Sequence, residues 1–128
     1  MSALRAGRRI VAGLAMLCAV ACGKQKSPAP FVSGGNADRG KVAIARYGCG
    51  SCHEIAGVTG AHGLVGPPLT EVAQRVYIAG VLVNEPDNIV RWIMNPPAVD
   101  AKTAMPNLGV TERDARDIAE YLYRSKGG

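Results

Sequence analysis

Cys49-Gly50-Ser51-Cys52-His53 constrains this chain more than any other stretch, because it sets two thiols three positions apart with an imidazole directly after the second. The spacing reads as a site for covalent attachment of a c-type haem. On one turn of backbone each thiol can add to a vinyl group at the edge of one porphyrin, and the next residue then turns its ring toward the iron. A chain with this motif has to fold around a flat apolar body fixed to its own backbone.

Length and composition suit such a body. The 128 residues argue for one domain. One Trp and one Phe would make a thin core from side chains alone, and a buried porphyrin supplies the apolar surface that a small domain lacks. Cys18 and Cys22 lie in the apolar N-terminal segment while Cys49 and Cys52 form the motif, so no pair suggests a disulfide framework.

The first 21 residues read as an export signal. Arg5, Arg8 and Arg9 make a basic start, Ile10 to Val20 is an apolar run, and Ala19-Val20-Ala21 offers a small-residue cleavage site. The run is too short for the roughly 20 residues of a membrane-spanning helix. Ala19-Val20-Ala21-Cys22 also resembles the lipobox of bacterial lipoproteins, with Ala19 where Leu is usual. The expectation is cleavage before Cys22, acylation of that cysteine, and a lipid-anchored protein on the periplasmic face of a bacterial membrane; cleavage leaving a free Cys22 is the alternative. Losing the signal lowers the net charge from +5 to +2, with no basic run to mark a nucleic-acid binder. Lys24 and Lys26 sit where anionic headgroups would attract them by about 1 kcal/mol each. Residues 22–35, with Ser27-Pro28-Ala29-Pro30 and Ser33-Gly34-Gly35, read as a flexible tether whose root-mean-square reach is roughly 20 Å.

The folded domain is expected over residues 36–128, with three helices and long loops. In the first, Gly40, Ala43, Ile44 and Tyr47 recur at helical spacing, Asn36 can cap the start and Gly48 the end. In the second, Pro86 suits the first position and Ile89, Val90 and Ile93 share a face until Asn95-Pro96-Pro97 stops the run. In the third, Thr111 can cap, Asp114 follows three residues later, Ala115, Ile118, Ala119 and Leu122 form the apolar face, and Gly127-Gly128 closes the chain. No stretch alternates as a strand, so the class is all-α.

An iron held by His53 needs a sixth ligand or an open position opposite. Outside the signal, thioethers come only from Met94 and Met105, and His62 is the other imidazole. Met105 is the strongest candidate, since Ala104-Met105-Pro106-Asn107 lies in a loop stiffened by proline. Met94 stands beside Ile93, where methionine commonly fills core. His62 reads as a solvent-exposed loop residue.

In this order, the haem motif, Gly66-Pro67-Pro68-Leu69, Met105-Pro106 and the last helix resemble the class I c-type cytochromes over residues 36–125. Ile78 to Asn88 and Arg91-Trp92-Ile93 through Gly109 are similar to the haem c domain fused to subunit II of some cytochrome oxidases; the copper domain and membrane helices that precede that domain have no counterpart in this sequence. The resemblance implies one covalent haem c, a small cytochrome c-like fold, and His53/Met105 axial ligation. It implies that His53 donates its other ring N–H to the Pro67 carbonyl, where the plain alternative is a simple turn. It also implies that Gly40 lets the first helix approach the last near Ile118 and Tyr121, with Ile44 standing where the family often has an aromatic residue. Trp92 would contact a haem propionate or, equally, serve in packing.

With both axial positions taken, one-electron transfer is the expected activity, in brief encounters with partners of a respiratory chain, such as an oxidase or a quinol-oxidising complex. An electron-transfer subunit of a periplasmic dehydrogenase or reductase is the alternative. A gas-binding or peroxide-using enzyme would require Met105 to dissociate. A zinc or dithiol site without haem lacks the further ligands, or the βαβ setting, that such sites use.

Overall fold

The structure is a computed structural model, and it describes residues 30–126. The expected signal, Cys22, most of the tether and Gly127-Gly128 lie outside the described residues. The elements run α1 (Ala37–Arg46), β1 (Tyr77–Ile78), β2 (Leu82–Val83), α2 (Pro86–Met94), α3 (Pro96–Val99) and α4 (Glu112–Arg124), with 3-10 turns at Cys49–Ser51 and Val72–Gln74. The expected helical fold is present.

Each long helix starts where the sequence signals it. The Asn36 side chain accepts from the Arg39 N–H at 2.9 Å, and Thr111 Oγ1 from the Asp114 N–H at 3.2 Å, satisfying donors that the first turn leaves free. Pro86 opens α2, where its missing N–H costs nothing. Gly48, at φ +70°, ends α1 in the left-handed conformation that suits glycine.

The organising contact is the crossing of α1 over α4. A Cβ built on Gly40 would lie 2.0 Å from the Asp117 carbonyl oxygen and 3.0 Å from the Tyr121 Cβ, so only glycine allows this approach. Ala43 and Ile44 then pack with Ala115, Ile118, Ala119 and Leu122 in one buried cluster. The Ile44 side chain is fully buried there. At the same crossing Asp117 accepts from both arms of the Arg39 fork and from the Asn36 N–H, each at 2.7 Å.

Three features depart from expectation. The packed domain reaches back to Val32, four residues before the boundary placed at Asn36: Val32 is 0 % exposed and its N–H donates to Glu120 Oε2 at 2.9 Å. The apolar pair Phe31-Val32, set between prolines and glycines, is too short to show a period in the sequence. Pro96-Pro97 ends α2 as expected but also opens the one-turn α3, because prolines that cannot continue one helix suit the first positions of the next. Residues 77–83 form a two-stranded antiparallel hairpin, pairing Tyr77 with Val83 and Ile78 with Leu82. Its turn places Ala79 at φ +50° and Gly80 at +75°, the twist a tight hairpin requires. Two residues per strand are too few to show alternation.

Candidate haem-binding site

The motif is held by backbone closed on itself. Gly48 launches the 3-10 turn, Ser51 N–H and Oγ both donate to the Gly48 carbonyl (3.0 and 2.7 Å), and the N–H groups of Cys52 and His53 both reach the Cys49 carbonyl (3.3 and 3.1 Å). The strand of chain that follows returns over this turn: Gly63 N–H donates to the Gly50 carbonyl at 3.0 Å and Gly66 N–H to the Cys52 carbonyl at 2.7 Å. A Cβ on Gly50 would sit 2.7 Å from Ala61, and one on Gly63 2.4 Å from the Ser51 carbonyl oxygen, so both glycines are steric requirements of the overlay.

His53 is fixed from two sides. Its Nδ1 lies 2.7 Å from the Pro67 carbonyl oxygen. A carbonyl can only accept, so Nδ1 carries the proton and Nε2 keeps its lone pair for a metal. Against the ring lies Gly66, whose Cβ would fall 2.3 Å from Cε1 and 2.6 Å from Nδ1. Arg75 Nη2 donates to the carbonyls of Pro68 and Thr70, bracing the turn that presents Pro67.

Cys49 and Cys52 are free thiols, both half-buried. Burial pushes the Cys49 thiol up, so at neutral pH it is a protonated thiol and not the thiolate that dithiol chemistry uses. Among the described residues no three His, Cys, Asp or Glu side chains gather as a metal-holding group. Two thiols on one turn, an imidazole with a free Nε2, and strongly exposed Leu64 and Val65 on the segment laid over that turn fit an apolar macrocycle bonded at its edge. An exposed apolar fringe beside a polar anchor marks a ligand surface.

The other expected residues take different places. Met105 is half-buried and packs against the core, its N–H donating to Thr103 Oγ1 at 3.2 Å. Met94, at the end of α2, packs on the core as well. His62 is exposed, paired through backbone with Glu54 in an isolated bridge. Trp92 is buried in the core cluster, in keeping with packing. A cleft of about 860 Å³ lies behind residues 54–62 and Thr70-Glu71, and none of Cys49, Cys52, His53 or Met105 lines it.

The profile of the cytochrome c family matches residues 37–126. The chain belongs to the cytochrome c family. Over 87 residues it is also 30 % identical to cytochrome c oxidase subunit 2 of Alkalihalophilus pseudofirmus, a match covering 67 % of this chain and 25 % of that protein. The chain thus spans about a quarter of that relative's length. Membership makes the cofactor one covalent haem c, joined through the Cys49/Cys52 motif, and makes the activity of this cytochrome electron transfer.

Several residues shape the site of this cytochrome in ways that the motifs alone do not assign. Gly50, Gly63 and Gly66 each leave no room for a Cβ, and the signal in the sequence is density: six glycines fall within residues 48–66. Asn84 uses both amide donors and its carbonyl oxygen on one side of the molecule. Its Nδ2 donates to the Val72 and Arg75 carbonyls at 2.7 and 2.8 Å, and its Oδ1 accepts from Tyr123 Oη at 2.8 Å. That residue ties the loop carrying Arg75 to α4. Tyr121 does the same for the segment after the motif, donating to the Ala56 carbonyl at 2.6 Å.

Proposed function

We propose that this cytochrome is an exported electron carrier held at the periplasmic face of a membrane by a lipid on Cys22, passing single electrons along a respiratory chain with His53 and Met105 as axial ligands. Bound haem supplies the Fe(III)/Fe(II) couple. The observation that carries the reading is the 2.7 Å contact between His53 Nδ1 and the Pro67 carbonyl, which leaves Nε2 as the one free donor of that ring. The same hydrogen bond makes the imidazole a stronger donor. Both methionines are half-buried against the core; Met105 is favoured by its place on a loop, its N–H held by Thr103, whereas Met94 is fixed in the last turn of α2. Were His53 and Met105 both to hold the iron, no position would be left there for substrate, which would favour outer-sphere transfer. A relative that is an oxidase subunit supports a donor or acceptor in the oxidase branch of such a chain.

The decisive experiment is Met105→Ala in the haem-loaded protein. The expected result is loss of the near-infrared sulfur-to-iron band, a lower reduction potential and rapid carbon monoxide binding, with Met94→Leu leaving all three unchanged. A band that survives in Met105→Ala, or vanishes in Met94→Leu, overturns the ligand assignment. Mass spectrometry of the mature N-terminus checks the anchor, and an unmodified Cys22 refutes it.

A further inference from the structure

We propose that an arginine ridge along α4 and the adjoining edge of α1 is a docking surface for anionic phospholipid, turning the paired helices toward the bilayer. Arg113, Asp117, Glu120 and Arg124 recur at i, i+4, i+7 and i+11, a single stripe of α4. Two of the four are acids, yet solvent meets neither. Asp117 is 1 % exposed beneath Arg39, and Glu120 3 % exposed beneath Arg124, while those guanidinium side chains stand 48 % and 60 % exposed. Arg46, 56 % exposed over the mostly covered Asp114, repeats the arrangement one step along. Arg113 is exposed and has no ion-pair partner among the described residues. The outermost groups of this stripe are therefore cationic, with its own carboxylates one layer down; the exposed acids of the two helices, Asp38 and Glu112, are not among its members.

The opposite bias holds elsewhere. Residues 47–110 carry five carboxylates against Arg75, Arg91 and Lys102. A flat anionic surface attracts the ridge and repels that loop side, so charge alone selects an orientation. Lipid, rather than an acidic protein, is favoured by where the N-terminal segment runs. Val32 N–H bonds Glu120, the Ser33 carbonyl accepts from Arg116 at 3.3 Å, and a Cβ on Gly35 would meet the Arg116 carbonyl oxygen at 2.6 Å. This strap lies on the same stripe, so a tether upstream of it draws the ridge to the membrane. That choice of partner rests on the membrane-held reading above, but the ridge's preference for anionic lipid does not require Cys22 to be acylated.

The test is partitioning of the haem-loaded full chain onto vesicles of phosphatidylglycerol mixed with phosphatidylcholine, against phosphatidylcholine alone. Arg46→Gln with Arg113→Gln leaves no buried acid unpaired, because Asp114 keeps Tyr47 and Thr111. At roughly fivefold per cation near an anionic surface, the pair should weaken binding to the mixed vesicles about thirtyfold and leave the neutral ones unchanged. Arg91→Gln with Lys102→Gln, on the loop side, should change it less than about twofold. Lys24 and Lys26 stay in every variant. If the double variant does not load haem, Arg113→Glu alone, at a side chain with no ion pair, gives the same reading. Equal losses in ridge and loop variants overturn the proposal, as does equal binding of the unaltered chain to both vesicle types. Normal vesicle binding by a ridge variant that delivers electrons more slowly to an acidic acceptor protein assigns the ridge to protein and also overturns it. An unacylated Cys22 with the lipid preference intact refutes the anchor and leaves the ridge standing.

Discussion

Gly66→Ala should disturb His53, the proposed axial ligand, from a position that would touch no metal. The new Cβ would lie 2.3 Å from His53 Cε1, against about 3.5 Å for relaxed carbon contact, so ring and loop must part by about 1.2 Å. The ring has little freedom to give, because its Nδ1 is bound to the Pro67 carbonyl at 2.7 Å, in the turn that begins with Gly66. Opening that bond by the same distance carries it to about 3.9 Å, beyond hydrogen-bonding range. Overpacking costs about 1–3 kcal/mol and the lost bond about 1 kcal/mol, together about 2–4 kcal/mol. In a domain of this size 2 kcal/mol already lowers Tm by roughly 8–16 °C. The weaker donor stabilises ferric iron less, so the reduction potential should rise. Thermal melting of the haem-loaded protein and a redox titration read both effects. An unchanged Tm with an unchanged potential would show that His53 is not held between Gly66 and Pro67, and the tautomer argument would fail with it.

Val32→Ala should cost about 2 kcal/mol in a denaturant titration, and a domain beginning at Asn36 should be less stable than one beginning at Phe31; equal midpoints would return the boundary to Asn36. Burial, with Glu85 nearby, pushes the Tyr123 hydroxyl up to about 12. The folded state keeps its proton after the unfolded chain loses it, so this contribution is complete below pH 10 and is lost as pH rises toward 12. Tyr123→Phe should flatten that alkaline limb and cost about 1–2 kcal/mol at neutral pH by leaving Asn84 Oδ1 unpaired, as pH-dependent melting would show. Hydrogen bonds from Tyr47 and Thr111, with Arg46 beside them, hold the Asp114 carboxyl below its usual range. Its contribution is present above the ordinary aspartate range near pH 4 and disappears as pH falls through the lowered value, so Asp114→Asn should make the acid limb shallower. An identical acid limb in the variant would refute that role.

What the sequence made legible was local chemistry with a fixed spacing. Asn36, Thr111 and Pro86 mark helix starts because unpaired first-turn N–H groups demand particular side chains, and a demand met within three residues is visible in one dimension. The His53–Pro67 pairing was legible for a different reason: the resemblance supplied a partner fourteen residues away that no local rule would name. The features it missed are set by neighbours remote in the chain. Val32 is buried by residues it meets only in the fold, with Glu120, 88 residues later, accepting its N–H. Asp117 and Glu120 look like ordinary solvent-facing acids until Arg39 and the strap are laid over them. Ala79 gives no hint of a left-handed conformation, which the hairpin imposes. Pro96 ends a helix by its own chemistry, and its equal suitability for starting one depends on Pro96 and Val99 having core to pack against.

The crossing at Gly40 brings the start and finish of the fold to one corner, with Val32 bonded to a residue of the last helix. A unit whose two ends meet can be spliced into a longer polypeptide like a cassette, since its host needs to supply only one point of attachment. That geometry suits a fold whose match occupies a quarter of another protein's length. It also decides how the unit bears load. Tension applied between its ends pulls first on the seam between α1 and α4, and the glycine-lined loop around His53 is spared until that seam gives way.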